Sequence, residues 1–235
     1  MAQVSRAPFF VAFFANCIII ISMMPINEKR QNLKNTPLNR DQLPEDPLIQ
    51  FENWLQDAQE CELPHPTAMS IATVSADDFV SSRMVILRYF DARGFVFFTG
   101  LETQKASEIS ENENVSLLFP WLALDRQVRV AGTAVSIPKT EALKFFMSRS
   151  RGSQMGMWLA QSSAVISSRT IMQSKLTELK QKFGAGQVPV PSAWGGYRVI
   201  PRRIEFWQGH ADHLHDRFEY IENTRGNWVI KRLLP

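Results

Sequence analysis

Apolar and polar positions divide the chain into unlike stretches. From Ala7 to Asn27 there is no charged residue, and Phe9–Phe14 and Ile18–Ile21 are wholly apolar, with Arg6 before and Glu28-Lys29-Arg30 after. A signal peptide would supply such a basic start and apolar run, but Ser22-Met23-Met24-Pro25 lacks the small residues of a cleavage site. A membrane anchor needs roughly 20 apolar residues, which makes residues 7–24 borderline. The expectation is that translation starts at Met23 or Met24, or that residues 1–24 are a dispensable extension. Residues 25–45 are polar, carry Pro25, Pro37 and Pro44, and read as a mobile arm without a core of its own.

Regular periodicity begins at Asp46-Pro47, a capping aspartate followed by a first-turn proline. Leu48, Phe51, Trp54, Leu55 and Ala58 then share one helical face. Beyond Pro64 and Pro66 the period shortens to that of strands: Ala68–Val74, a longer Val80–Phe90, a turn at Asp91-Ala92-Arg93-Gly94, and Phe95–Thr99. Thr103–Glu111 predicts a short helix, and Val115–Trp121 with Arg126–Ile137 a strand pair. Pro138–Arg149 and Ser167–Phe183 predict further helices. Gly195–Ile200, Arg203–Gln208, Phe218–Ile221 and Trp228–Lys231 close the chain as short strands. Many antiparallel strands with a few helices predict a closed β-barrel with helices packed outside, occupying residues 46–235 as one domain.

Composition narrows the classes. With 235 residues, 45% hydrophobic and 21% charged, the chain is globular and long enough for a real core. Cys17 and Cys61 cannot form a disulfide framework, and their contexts give no zinc spacing. A net charge of +3 without a compact basic tract suits an anionic small molecule at least as well as nucleic acid, and no element interleaves aromatic and basic residues as a nucleic-acid module would.

The usual glycine-rich nucleotide cradles and hydrolase or zinc-protease motifs are missing. His210, His213 and His215 form a tight H-A-D-H-L-H cluster, in which His213 and His215 would share a strand face. With only Asp212 and Asp216 as acidic neighbours, no metal site is expected. Arginines recur beside short polar residues: Arg83 and Arg88 around one strand, and Arg149 and Arg151 among Ser148, Ser150 and Ser153. Arginine forks and hydroxyls suit a phosphate monoester, although each arginine alone reads as a solvated side chain.

Several runs then combine. R-M-V-I-L-R (Arg83–Arg88), V-S-L-L-F-P-W (Val115–Trp121), R-Q-V (Arg126–Val128), S-R-S-R-G-S-Q-M-G (Ser148–Gly156) and V-P-x-P-x-x-W-G-G-Y-R-V (Val188–Val199) resemble the pyridoxine/pyridoxamine 5′-phosphate oxidase family. So do I-E-F-W-Q-G (Ile204–Gly209), L-H-D-R-F (Leu214–Phe218) and the R-L-x-P ending, in order from about Arg30 to Pro235. The resemblance implies a mainly β fold with helices (α+β), an FMN-binding split β-barrel of antiparallel Greek-key type with peripheral helices. It implies a homodimer with the flavin between the chains. The implied activity is oxidation of pyridoxine or pyridoxamine 5′-phosphate to pyridoxal 5′-phosphate in the cytoplasm, with O2 as acceptor.

Position by position, it implies FMN contacts at Arg83, Met84, Val85, Ile86, Leu87, Arg88, Phe98, Thr99, Gln104, Lys105, Gln127, Gln161, Ser162, Trp207 and Arg217, with Arg83 and Lys105 on the phosphate. Substrate contacts would be Arg88, Phe145, Arg149 and Ser153 around the substrate phosphate, Arg30 in the covering arm, and His213 and His215 over the ring as catalytic groups. The chain departs from the family's usual residue at several of these positions. Arg88 stands for a lysine, Gln104 for an arginine, and Phe98, Phe145 and Leu33 for tyrosines. His213 stands for an arginine that assists at C4′. Because the departures gather on the substrate side, two other readings stay open. One is a flavin oxidase of another aromatic ring, such as a phenazine precursor; the other is a non-catalytic flavin- or pyridoxal-phosphate-binding protein.

Overall fold

The computed structural model describes residues 25–161 and 163–235; the segment 1–24, with Cys17, and Ser162 lie outside the described residues. In chain order the elements are α1 (Ile26–Asn35), α2 (Pro47–Glu60), β1 (Ala68–Val74), β2 (Val80–Ile86), β3 (Tyr89–Asp91), β4 (Gly94–Gly100), α3 (Gln104–Glu111), β5 (Asn114–Trp121), β6 (Arg126–Ser136), α4 (Lys139–Met147), α5 (Arg151–Leu159), α6 (Arg169–Phe183), β7 (Trp194–Gln208), β8 (Asp216–Glu222) and β9 (Trp228–Leu233).

Strand alternation builds the barrel. Met69, Ile71 and Thr73 of β1 and Val115, Leu117, Phe119 and Trp121 of β5 point inward at period two. All pairings are antiparallel, in the order β2-β1-β5-β6-β7-β4-β3, with β8 and β9 added beside β7. The expected single strand Val80–Phe90 is instead two strands, with a break at Leu87–Arg88. There the Leu87 N–H donates to the Thr67 carbonyl and the Arg88 N–H to that of Val96, each at 2.9 Å. The segment thus exchanges β1 for β4 as its partner. The sheet order begins and ends on one stretch of chain, and the barrel closes at Arg88.

β7 also differs from expectation, being one 15-residue strand rather than two. Pro201, with no N–H to donate, sits where the β6–β7 register shifts at Ala131/Gly132. A Cβ at Gly132 would lie 2.1 Å from the Ile200 carbonyl oxygen, so the close approach requires glycine. Before this bulge β7 pairs with β4, and beyond it with β8.

The Asp46 side chain accepts from the Leu48 N–H at 2.8 Å and starts α2. Phe51 of α2 fills the barrel, with its ring 4.8–5.0 Å from those of Phe90, Phe95 and Phe119. Truncating such a buried ring costs about 3–5 kcal/mol. A second core, of Ala142, Phe146, Met155, Val188 and Trp194, holds the layer of α4, α5 and α6 against the β4–β7 end. The arm contains α1, which buries none of its residues. It docks through Lys29 to Glu60, through Lys34 to Asp125 at 2.9 Å, and through Arg30 to the Cys61 carbonyl at 2.7 Å. Among the described residues no helix is long and apolar enough to cross a membrane.

Candidate active site

A cleft of about 550 Å³ opens where the helical layer meets the barrel, lined by Arg88, Phe98, Thr99, Lys105, Phe145, Arg149, Ser153 and Trp194 among others. Four segments distant in sequence meet here: the closure at Arg88, the end of β4, the first turn of α3, and the end of α4 with the start of α5. A Cβ on Gly100 would lie 2.2 Å from the Gln161 carbonyl oxygen, so the loop after α5 lies flat on the end of β4. That carbonyl accepts from the Glu102 N–H at 3.1 Å.

Many arginines outside this cleft are paired with carboxylates. Arg126 pairs with Asp57, Arg198 with Asp91 and Glu141, Arg129 and Arg217 with Glu205, and Arg232 with Asp216. Among the described residues, Arg88, Arg149 and Lys105 have no carboxylate in salt-bridge contact. Arg88 and Arg149 stand at the exposed mouth, each guanidinium carbon 5.5 Å from the centre of the Phe145 ring. Partial burial, then the charge of Arg149, lowers the Arg88 pKa. Lys105 is half-buried and, among the described residues, donates to the hydroxyls of Thr99 at 3.2 Å and Thr103 at 3.3 Å. Burial, then the charge of Arg83, lowers its pKa, opposed by Glu108. A site that keeps three cations together without local carboxylate partners is built for anions.

Arg83 stands behind Lys105, 3.2 Å from the buried Glu108 carboxylate. The Thr73 hydroxyl accepts from Arg83 and donates to Glu108. Burial opposes the Glu108 charge, but hydrogen bonds from Thr73, Gln104 and Ser81 and the charge of Arg83 outweigh it and hold its pKa low. The Gln104 amide is spent here, donating to Glu108 at 2.8 Å. Met84 is exposed, Val85 and Ile86 are half-buried, and Leu87 is core. Aromatic rings form one wall of the cleft: Phe98 stacks on Phe145 at 4.1 Å and on Trp194 at 5.2 Å, nearly parallel to both. Ser153 Oγ lies 3.1 Å from Ser150 Oγ, and the Gln161 side chain turns back to the Trp158 carbonyl. Trp194 belongs to the W-G-G-Y-R-V run, but its place on the wall depends on the pairing of β4 with β7, which local sequence does not display.

The remaining expected residues gather elsewhere. Gln127, Trp207 and Arg217 lie abreast on β6, β7 and β8. Eleven residue steps along β7 take the chain from Gly196, which pairs with Phe98, to Trp207, a contour of roughly 35 Å. Arg217 is engaged with Glu205 at 3.2 Å and with the Leu234 carbonyl at 2.8 Å. His213 and His215 do not share a strand face as expected: both lie in the loop before β8, and His213 is exposed with φ +62°. The His215 ring is 4.8 Å from that of Trp207, and its Nδ1 accepts from the His210 N–H at 3.1 Å. A neutral His215 therefore carries its proton on Nε2. Asp216 holds the His210 ring at 2.7 Å and the Leu38 N–H at 2.9 Å, so the end of the arm is tied to this loop. Arg30 lies with the arm, away from the cleft. Among the described residues no three acidic, histidine or cysteine side chains are placed to hold a metal ion.

FMN needs an anion grip for its phosphate and flat apolar surface for its ring. The grouping of Lys105 and Arg83 and the wall of Phe98, Phe145 and Trp194 meet both needs. Fold and cleft together define an FMN-binding split barrel.

Comparison with known proteins narrows the class. Residues 55–183 match the family model described as pyridoxamine 5′-phosphate oxidase, and residues 194–235 that of the pyridoxine 5′-phosphate oxidase C-terminal dimerisation region. A pyridoxine/pyridoxamine 5′-phosphate oxidase of Crocosphaera subtropica is 50% identical over 214 residues, covering 90% of this chain and 100% of that protein. PhzG of Burkholderia lata, solved in complex with tetrahydrophenazine-1-carboxylic acid, superposes with a TM-score of 0.80 at 27% identity, over 86% of this chain and 98% of that one. A pyridoxamine 5′-phosphate oxidase-related, FMN-binding protein of Nostoc punctiforme shares the fold, with a TM-score of 0.67 at 13% identity, over 82% of this chain and 100% of that one. This chain belongs to the pyridoxine/pyridoxamine 5′-phosphate oxidase family. It is an oxidase with FMN as cofactor, and it is a homodimer through the C-terminal region.

Proposed function

We propose that the enzyme oxidises pyridoxamine and pyridoxine 5′-phosphate to pyridoxal 5′-phosphate with O2 as electron acceptor, yielding hydrogen peroxide and, from the amine with uptake of water, ammonia. The observation that carries this reading is the convergence of Arg88 and Arg149, neither in salt-bridge contact with a carboxylate among the described residues, beside Ser153 in the same cleft as Lys105. FMN, when bound, supplies the two-electron redox chemistry that amino-acid side chains lack. The chain's own residues bind and orient. Lys105, backed by Arg83, grips the cofactor phosphate. Arg88, Arg149 and Ser153 hold the substrate phosphate. Phe98, Phe145 and Trp194 keep water from one side of the cleft.

The group around Trp207 is too far along β7 to serve the cleft of its own chain. In this reading it completes the cleft of the other subunit. There His215 presents an Nε2–H donor, and His213 supplies a hydrogen bond where the family uses an arginine. Residues 46–235 form the oxidase domain in this reading, with 25–45 as a covering arm, and the setting is the cytoplasm.

The test is a visible spectrum of the purified protein, then addition of pyridoxamine 5′-phosphate in air. A flavin spectrum and peroxide in equal amount to the aldehyde are expected. Absence of flavin would overturn the reading. The similarity to PhzG favours a second reading, oxidation of another aromatic ring, and predicts turnover of a substrate without phosphate. Pyridoxamine turning over as well as its phosphate would move the assignment that way.

A further inference from the structure

We infer that Tyr89, Glu141 and Arg198 form a clamp that sets the spacing of Arg88 and Arg149, and so act as positioning residues for the substrate phosphate. The inference rests on the reading of the cleft given above and deepens it.

Arg198 lies in β7 opposite Val96 and Val135 and is buried, where a guanidinium has to be paired. It donates to Asp91 at 2.6 Å and to Glu141 at 2.9 Å. Asp91 belongs to the barrel: it ends β3 and accepts the Arg93 N–H at 2.8 Å. Glu141 belongs to the first turn of α4, outside the barrel. The guanidinium therefore joins two layers. The Tyr89 hydroxyl donates to the same Glu141 oxygen. Burial, then that hydrogen bond, pushes the Tyr89 pKa up to about 12, so the hydroxyl keeps its proton and remains a donor.

The consequence follows from chain order. Tyr89 is the residue after Arg88, and Glu141 lies one helical turn before Phe145, with Arg149 a further turn along the chain. The Tyr89–Glu141 bond thus joins the backbone that carries one phosphate arginine to the helix that leads to the other. Both guanidiniums lie 5.5 Å from the centre of the Phe145 ring, which α4 carries. Arg88 and Arg149 carry like charges and repel one another; burial first, and the charge of Arg149 second, lower the Arg88 pKa. Two like charges do not hold their own convergence before the anion arrives; a fixed link between their supports does. Neither Tyr89 nor Glu141 lines the cleft.

The test uses the FMN-loaded dimer and three variants: Glu141→Ala, Tyr89→Phe and Glu141→Gln. Four quantities are measured: KM and kcat for pyridoxamine 5′-phosphate, the inhibition constant of inorganic phosphate, FMN affinity, and Tm. Glu141→Ala should raise KM and the phosphate inhibition constant in parallel, on the order of ten-fold, with kcat and FMN affinity within about two-fold. Tyr89→Phe should move both constants the same way by less. Glu141→Gln, which keeps an acceptor for both donors, should recover most of the loss. A fall in Tm with both constants unchanged would make the group a structural brace only and overturn the inference. Should Glu141→Ala not fold, Tyr89→Phe decides in the same terms. Wild-type enzyme that inorganic phosphate does not inhibit would overturn the reading of the cleft, and the clamp's role with it. Competition in the wild type with no change in the variants overturns the clamp alone.

Discussion

Replacing Lys105 by methionine should move two measurements in opposite directions. The substitution keeps the apolar stem and removes the charge. Among the described residues the ammonium has long bonds to two hydroxyls and no carboxylate in salt-bridge contact. An ammonium has three donors, so one is left for a phosphate oxygen. A hydrogen bond between charged groups is worth about 1.5–3 kcal/mol, so FMN affinity should fall about 10- to 150-fold. The apoprotein responds the other way. Burial and the charge of Arg83 lower the Lys105 pKa below 10.5, so the folded state binds its proton less tightly than the unfolded state. The resulting penalty is fully present at neutral pH and is relieved as pH rises from the lowered value towards 10.5. Apo Lys105→Met should therefore melt no lower than wild type at pH 7, and any advantage should shrink in alkali. FMN quenching titrations and thermal melts of the apoprotein at the two pH values measure both. Unchanged FMN affinity would remove Lys105 from the phosphate grip. An apoprotein that melts several degrees lower would refute the claim that its charge lacks local compensation.

Arg83→Ala should act first on stability, because it strands the buried Glu108 carboxylate; a loss of about 3 kcal/mol in urea unfolding of the apoprotein is expected. Glu108 has a lowered pKa, so this pair's contribution is complete above pH 4.5 and is lost as pH falls through the lowered value; the gap between wild type and variant should close in acid. Phe145→Tyr should lower KM for pyridoxamine 5′-phosphate by the worth of one neutral hydrogen bond, about 0.5–1.5 kcal/mol, and steady-state kinetics would show it. His213→Ala should lower kcat while His213→Arg keeps or raises it; equal turnover of His213→Ala at saturating substrate would leave the histidine with no catalytic role.

Local pattern carried much of the fold and only part of the site. The Asp46-Pro47 start of α2 and the alternation in β1 and β5 were legible because both are set by neighbouring residues. Helix α5 was not read: Gly152 and Gly156 lower its intrinsic preference, and it stands on the Ser150 cap and on Met155 in the second core. The break at Leu87–Arg88 left no mark, since β-branched and aromatic residues lie on both sides of it and only an exchange of pairing partner creates it. Arg88 and Arg149 lie in the motif runs, Lys105 and Phe145 came from the family resemblance alone, and all four line the one cleft. Neither the motifs nor the resemblance could show that Gln104 is spent on Glu108, or that Glu141 and Arg198 meet, because such pairs join residues far apart in sequence or depend on helix packing.

The length of β7 has a genetic consequence. If each cleft draws its arginines from one chain and its histidines from the other, a lesion at one end of the strand and a lesion at the other end damage different halves of the work. Neither an Arg149→Ala homodimer nor a His215→Ala homodimer has a sound site. In a mixed dimer one cleft collects both lesions and the other collects none. Random reassortment of the two inactive proteins in equal amounts makes half the dimers mixed, so about a quarter of all clefts should be whole again. Two dead alleles would then restore growth together where neither does alone, and two alleles damaged at the same end would not.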